Sequence, residues 1–214
     1  MSVADFLDAL PVSSVQFELP EAVELSRTGG GELLVASVGA RLWQGEIMLG
    51  KMLPEEARQA QALIDLVRGA GASFLAYHRR FPYPASDPQG AVIETASPAI
   101  RALDGADARL IALEALPPGF VLTRGDYLSF TYGLNPLRYA LHRVQEASVV
   151  ADGAGDTALF EVNPPLEPGA ATGTAVELVR AHCKAVIVPG SVQPGRQAKF
   201  MRDGVSFRFQ QTLR

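Results

Sequence analysis

Residues 41–69 read RLWQGEIMLGKMLPEEARQAQALIDLVRG. Within this stretch a β-type run gives way to the one convincing helix of the chain. Arg41-Leu42-Trp43 and Glu46-Ile47-Met48-Leu49 have strand character, with a bulge or turn expected at Gly45. The helix is predicted over 54–68. Pro54 suits a first helical position, where a missing N–H costs nothing. Glu55 and Glu56 place negative charge at the positive end of the helix dipole. Ala57, Ala60, Ile64 and Val67 recur at helical spacing with Leu63 beside them, while Arg58, Gln59 and Asp65 fall elsewhere. Arg68 in the last turn and Gly69 after it read as a stop.

Outward from this stretch the pattern is β throughout. Val15, Phe17 and Leu19 alternate with Gln16 and Glu18. Gly29-Gly30-Gly31 breaks the chain before Leu33-Leu34-Val35, and Ser73–Tyr77 follows the helix as a strand. Four turn formers, Pro82, Pro84, Pro88 and Gly90, mark a domain boundary at 81–90. Strands are then expected at 92–95, 108–115, 120–131, 138–150, 157–162 and 174–179, which is the spacing of a barrel or sandwich. Asp152–Asp156 reads as a hairpin loop, and Asn163-Pro164-Pro165 ends a strand. A strand at 182–188 leads through a Pro/Gly loop to a last one, where Val205, Phe207 and Phe209 alternate with polar residues. That last strand is expected to pair with the N-terminal ones. The fold class is therefore mainly β (α+β). Residues 1–84 and 180–214 would form a sandwich carrying the helix, and 88–178 an inserted small barrel or sandwich.

Composition narrows the function. Hydrophobic residues make up 48% and charged residues 20%, enough apolar surface for a core and too much for disorder. The net charge is -4, and lysines are few and scattered, so a nucleic-acid grip is not expected. The single cysteine, Cys183, has no internal disulfide partner, and no Cys/His set has zinc spacing. Met1–Asp5 lacks the basic and apolar regions of a leader, and no run reaches the roughly 20 apolar residues of a membrane helix. A soluble protein made in a cytoplasm is expected.

No residue set carries recognisable chemistry. Arg124-Gly125-Asp126 matches the tripeptide of cell-adhesion ligands but is also ordinary turn sequence. Asp152 and Asp156 invite a calcium reading, yet Asn163 stands where an EF-hand loop needs its closing glutamate. His182 and Cys183 are neighbours on a strand and point to opposite faces. His78 and His142 have no acid or thiol at a useful spacing, and Glu55-Glu56 is explained by the helix dipole. The triple glycine precedes no helix, so it is no phosphate loop. Catalytic, cofactor-binding and metal-binding residues: none are assigned. The Ala57, Ala60, Leu63, Ile64, Val67 stripe is either a core face or an oligomer contact.

The order of these pieces resembles one known family. Arg41-Leu42-Trp43-Gln44-Gly45-Glu46, then Leu53-Pro54-Glu55-Glu56-Ala57-Arg58, then Ala62-Leu63, Leu66, Arg68-Gly69 and Phe74, is similar to a segment of siphophage and gene-transfer-agent tail proteins. There a Trp-x-Gly strand leads into a helix and then a Phe-bearing strand. Arg124–Leu128, Arg143-Val144, Ala151-Asp152 with Gly155, and Asn163–Leu166 look like the inserted β-domain of the same proteins. The matching pieces lie in 40–80 and 120–170. The resemblance is to the distal tail protein, and it implies a virion structural protein with no active site. It implies a tail-tube-like sandwich closing into a ring, usually hexameric, between the tail tube protein and the tail-tip hub, close to the tape measure. DNA would pass its lumen without specific binding, and the protein would be made in the host bacterial cytoplasm. Another tail-tube or tail-completion subunit fits the same pieces. A carbohydrate- or receptor-binding module is the rival from a different class, with Tyr127, Phe130, Tyr132 and Tyr139 as its aromatics. A tail-associated hydrolase lacks any acid/base or nucleophile constellation.

Overall fold

The structure is a computed structural model and describes residues 6–198 and 200–214. The reading of Met1–Asp5 lies outside them. The chain is mainly β, 41% strand against 8% helix, so strand pairing and not helix packing sets the architecture.

The first sheet runs β1 (Val12–Glu18), β4 (Gln44–Leu49), β16 (Arg202–Gln211), β14 (His182–Ile187), β5 (Phe74–Tyr77), all antiparallel. β15 (Gln193–Gln197) pairs with the outer part of β16. The C-terminal strand thus lies beside an N-terminal one, with Phe207 opposite Ile47. One face of the sheet is packed on the helix α1 (Pro54–Leu66) through Phe6, Trp43, Ile47, Ile64, Phe74, Phe207 and Phe209. The other face is largely polar, with Met48 exposed between Ser14 and Ser206. Gln16, Glu46 and Arg208 share one cross-strand row, and Glu18, Gln44 and Gln210 the next.

The second sheet runs β13 (Val176–Glu177), β9 (Tyr127–Tyr132), β10 (Arg138–Val144), β12 (Phe160–Asn163), β7 (Leu110–Glu114), β6 (Ala99–Leu103). It curls until its ends meet. Ala99 bridges Ala175, Ile100 N–H donates to Thr174 O at 2.9 Å, and Val176 N–H donates to Pro98 O at 2.8 Å. Phe160, Ile100, Ile111, Leu122, Leu128 and Val144 fill this nearly closed barrel, and β8 (Val121–Thr123) with β11 (Ser148–Val150) covers one side. β2 (Val23–Arg27) and β3 (Leu33–Ser37) form a separate two-stranded arm.

Gly45 explains the Trp-x-Gly pair. It sits between Phe17 and Phe209 in register, on the core face, and lets those rings approach to 5.5 Å. A Cβ there would lie 2.1 Å from Gln16 O and 2.7 Å from the Phe209 ring. Gly45→Ala is therefore expected to cost about 3 kcal/mol, read as a lower denaturation midpoint. An unchanged midpoint would show that the row can spread.

Several expectations need correction. The helix predicted over 54–68 ends at Leu66, and Val67 is its C-cap. Arg68 lies past the last turn, and the left-handed exit is at Gly71, not Gly69. The start is as read, with Pro54 in the first turn and the Leu53 N–H donating to the Glu56 carboxylate at 2.8 Å. Residues 41–43 are not strand, and β4 runs unbroken through Gly45. Residues 93–95 form a 3-10 turn because the Asp87 carboxylate accepts from both Val92 N–H and Ile93 N–H. The run at 120–131 is split by a turn at Arg124-Gly125, and 138–150 by one at 145–147. β6 was not foreseen. The strands in 157–162 and 174–179 shorten to β12 and β13. Asp152–Asp156 joins strands that do not pair with each other, so it is not a hairpin loop.

Candidate functional site

The junction between the two sheets concentrates the unusual side chains. Trp43 is fully buried there, and its indole N–H donates to Leu141 O at 2.7 Å, crossing from the first sheet to β10. Gln211 works in both directions. Its side-chain oxygen accepts from Trp43 N–H at 3.1 Å, and its NH2 donates to Tyr139 O at 3.1 Å. His182 N–H donates to Ser129 Oγ, Arg138 to Leu213 O, and Ala85 N–H to Asp126 Oδ1. The barrel is thus held to the first sheet by bonds from several elements.

Arg143 fills the middle of this junction. Its guanidinium lies 5.1 Å from the Trp43 ring and 5.5 Å from Tyr127. Tyr127 also meets Trp43, Phe17 and His78. Arg143 Nε and His78 Nδ1 are buried without a hydrogen-bond partner. Burial, with the charges of Arg143 and Arg80 adding to it, holds His78 below the usual histidine range. What this arrangement does chemically is pack a cation among rings and hold two sheets together. It presents no nucleophile beside a base.

The predicted site residues are dispersed. Asp126 is turned inward, its Oδ2 accepting from Thr123 N–H at 2.8 Å and its Oδ1 used by Ala85, so the Arg-Gly-Asp segment is a turn. Asp152 spends one oxygen on the N–H groups of Ala154 and Asp156, closing its own loop. Cys183 is fully buried, and burial pushes its thiol well above the ordinary range, so it is no reactive thiolate. Glu55 pairs with exposed Arg58 at 3.4 Å, and Glu56 holds the helix start. The helix stripe faces the core: Ala57, Ala60, Ile64 and Val67 are all buried. Of the four aromatics offered as a ligand surface, Phe130 and Tyr132 are in the barrel core, Tyr127 is in the junction, and Tyr139 packs beside His182. Among the described residues no three His, Cys, Asp or Glu side chains gather as a metal site. Among them, too, no helix is long and apolar enough to cross a membrane.

Neither a known family model nor a curated protein matches this chain. The site must therefore be read from its own chemistry.

His142, structural by its sequence, gives the barrel a pH dependence. It is fully buried on β10 and stacked 5.4 Å from Phe130. Nδ1 bonds Pro164 O at 2.7 Å, so the proton sits there, and Nε2 has no partner. Burial lowers its pKa to about 4, partly offset by the Pro164 bond. A histidine kept neutral in the fold is protonated first in the unfolded chain, near pH 6.5. Its stability contribution is full above that pH and is lost as pH falls from 6.5 toward 4. The loss should reach about 2 kcal/mol by pH 5, seen as a falling urea midpoint. His78 and His182 are also depressed, chiefly by burial, and act in the same direction. A flat midpoint between pH 7 and 5 would mean that His142 reaches water.

Proposed function

We propose that this chain is a structural ring subunit at the distal end of a long, non-contractile phage-type tail. The ring joins the tail tube to the tip hub. The observation that carries the reading is the first sheet: one face is packed on a single helix, and the other carries two polar cross-strand rows, Gln16–Glu46–Arg208 and Glu18–Gln44–Gln210. A sheet of that kind can line a wet channel while its helix side builds the wall. The segment on which the resemblance rests, Trp43 followed by Gly45 in β4 and then α1, supplies the strand between β1 and the central β16 of this sheet. The barrel, tied on at the junction, decorates the outside.

In this role the chain pairs with copies of itself, in a hexamer, and with the tube protein above and the hub below. The tape measure and then DNA pass through without base-specific contact. An acidic chain suits a channel that must release phosphates. Assembly rests on buried area and strand pairing, with no cofactor. Its home is the virion, after synthesis in the host cytoplasm.

The test is the mass of the purified protein by light scattering across a concentration series, with negative-stain images of the largest species. Closed rings of constant subunit number are expected. Two-fold dimers, or open aggregates with no closed species, would overturn the ring.

A further inference from the structure

The β2–β3 arm is exposed almost throughout. Residues 24–40 are all exposed, including Leu25 at 59%, Leu33 at 51% and Val35 at 57%. These three fall on one face, through the cross-strand rows Leu25–Val35 and Arg27–Leu33. The arm is nevertheless well formed. Arg41 ties its root, donating to Leu19 O at 2.7 Å and Pro20 O at 3.1 Å, and Val38 N–H donates to Ala22 O. Thr28 ties its tip to Gly31 and Glu32. A two-stranded hairpin with an uncovered apolar face is marginal in water and gains most from a third layer or strand.

The same chain carries a surface of matching chemistry. Among the described residues β1 is an edge strand, paired with β4 alone. Beside it runs a groove of about 380 Å³ lined by Val12, Ser13, Ser14, Val15, Arg79 and Arg80. Arg79 is held by Leu7 O and Leu10 O, while exposed Arg80 has no hydrogen-bond or ion-pair partner among the described residues. The arm brings a carboxylate at its tip, Glu32, another on its far face, Glu24, and one cation, Arg27, beside its apolar face, together with two strand edges unpaired among the described residues.

We propose that the arm of one copy docks in the groove beside β1 of a second copy. The contact adds strand to the free edge, sets the Leu25, Leu33, Val35 face against Val12 and Val15, and brings the tip carboxylate of Glu32 to Arg80. Arm and groove are different surfaces, so the contact is head-to-tail and propagates from copy to copy. This deepens the ring reading, on which its closure rests.

The experiment uses the full chain, by sedimentation velocity. Leu25→Lys/Val35→Lys removes the arm's apolar face, and Arg80→Glu reverses the groove. Both changes are at exposed positions, and unchanged circular dichroism checks the fold. Each variant alone is expected to sediment as a monomer where the unmodified chain assembles, with association weakened about 100-fold or more for the arm variant. A 1:1 mixture should give a heterodimer and nothing larger, because only one intact arm and one intact groove remain. Rings that persist in the arm variant would overturn the arm contact and leave the ring standing. Arm-dependent assembly that never closes would do the reverse. A mixture that stays monomeric, or an unmodified chain that is monomeric at every concentration, would overturn the docking.

Discussion

An Ile64→Asp chain is expected to be unfolded. Ile64 is fully buried on the inner side of α1, in one cluster with Phe6, Phe74 and Phe207. Its replacement removes about 2 kcal/mol or more of apolar burial and sets a carboxylate where no donor or cation awaits it. The charge must be desolvated or neutralised at a cost of several kcal/mol. Together these reach at least about 5 kcal/mol, comparable to the whole stability of a domain of this size. Val67→Asp should also be damaging but milder, because Val67 is the C-cap and keeps 5% exposure where Ile64 has none. Leu66→Asp is the control, since Leu66 is 68% exposed. Soluble yield and near-ultraviolet circular dichroism should rank the three Ile64, Val67, Leu66 in falling damage. A soluble Ile64→Asp protein with a native spectrum would take the helix out of the core.

The ranking shows what kind of information the sequence held. The helix was legible because local rules agree there: Pro54 at the start, carboxylates in the first turn, and apolar residues on one face. Its end was misread because Gly69 looks like a stop, while the chain turns over Gly69–Ala72 and takes its left-handed residue at Gly71. The last strand was legible because Val205, Phe207 and Phe209 alternate cleanly, and its partner Ile47 lies in a similar run. Strand breaks were less legible. The Gly-Asp pair at 125–126 announces a turn, which the Asp126 carboxylate closes, although the apolar runs on both sides read as one strand. Val92-Ile93-Glu94-Thr95 has strand composition, but Asp87, just upstream, supplies the carboxylate acceptor that winds it into a turn, and strand periodicity does not register such a side-chain bond. The junction was not legible at all. Trp43 and Leu141 are 98 residues apart, and nothing in the local pattern of either announces the other. Arg143 and His142 have the look of ordinary strand residues because what covers them is remote in sequence: Trp43 of the first sheet over Arg143, and Phe130 with Pro164 around His142.

Trp43 is where that invisible layer can be tested with the second large effect. Trp43→Ala is expected to cost about 4 kcal/mol, from the lost indole and the cavity it leaves. The damage should also have a direction. Leu141 O loses its donor, Arg143 loses one of its two rings, and Phe17 loses a neighbour at 5.2 Å. All three losses fall at the contact between sheet and barrel, while the barrel core around Phe160 and Ile111 is untouched. The variant should therefore unfold in two steps, the first sheet before the barrel, where the unmodified chain unfolds in one. Trp43→Phe separates the parts. It keeps much of the packing but leaves Leu141 O unpaired, and should cost about 2 kcal/mol. The chain has a single tryptophan, so its fluorescence reports on this junction alone. In the native protein the emission should be blue-shifted and poorly quenched by acrylamide. On urea unfolding it should shift together with the near-ultraviolet signal of the tyrosines. Single-step unfolding of Trp43→Ala at a slightly lower midpoint would mean that the sheet and barrel are held by the bonds at Gln211, Ser129 and Leu213, with the indole only filling space between them.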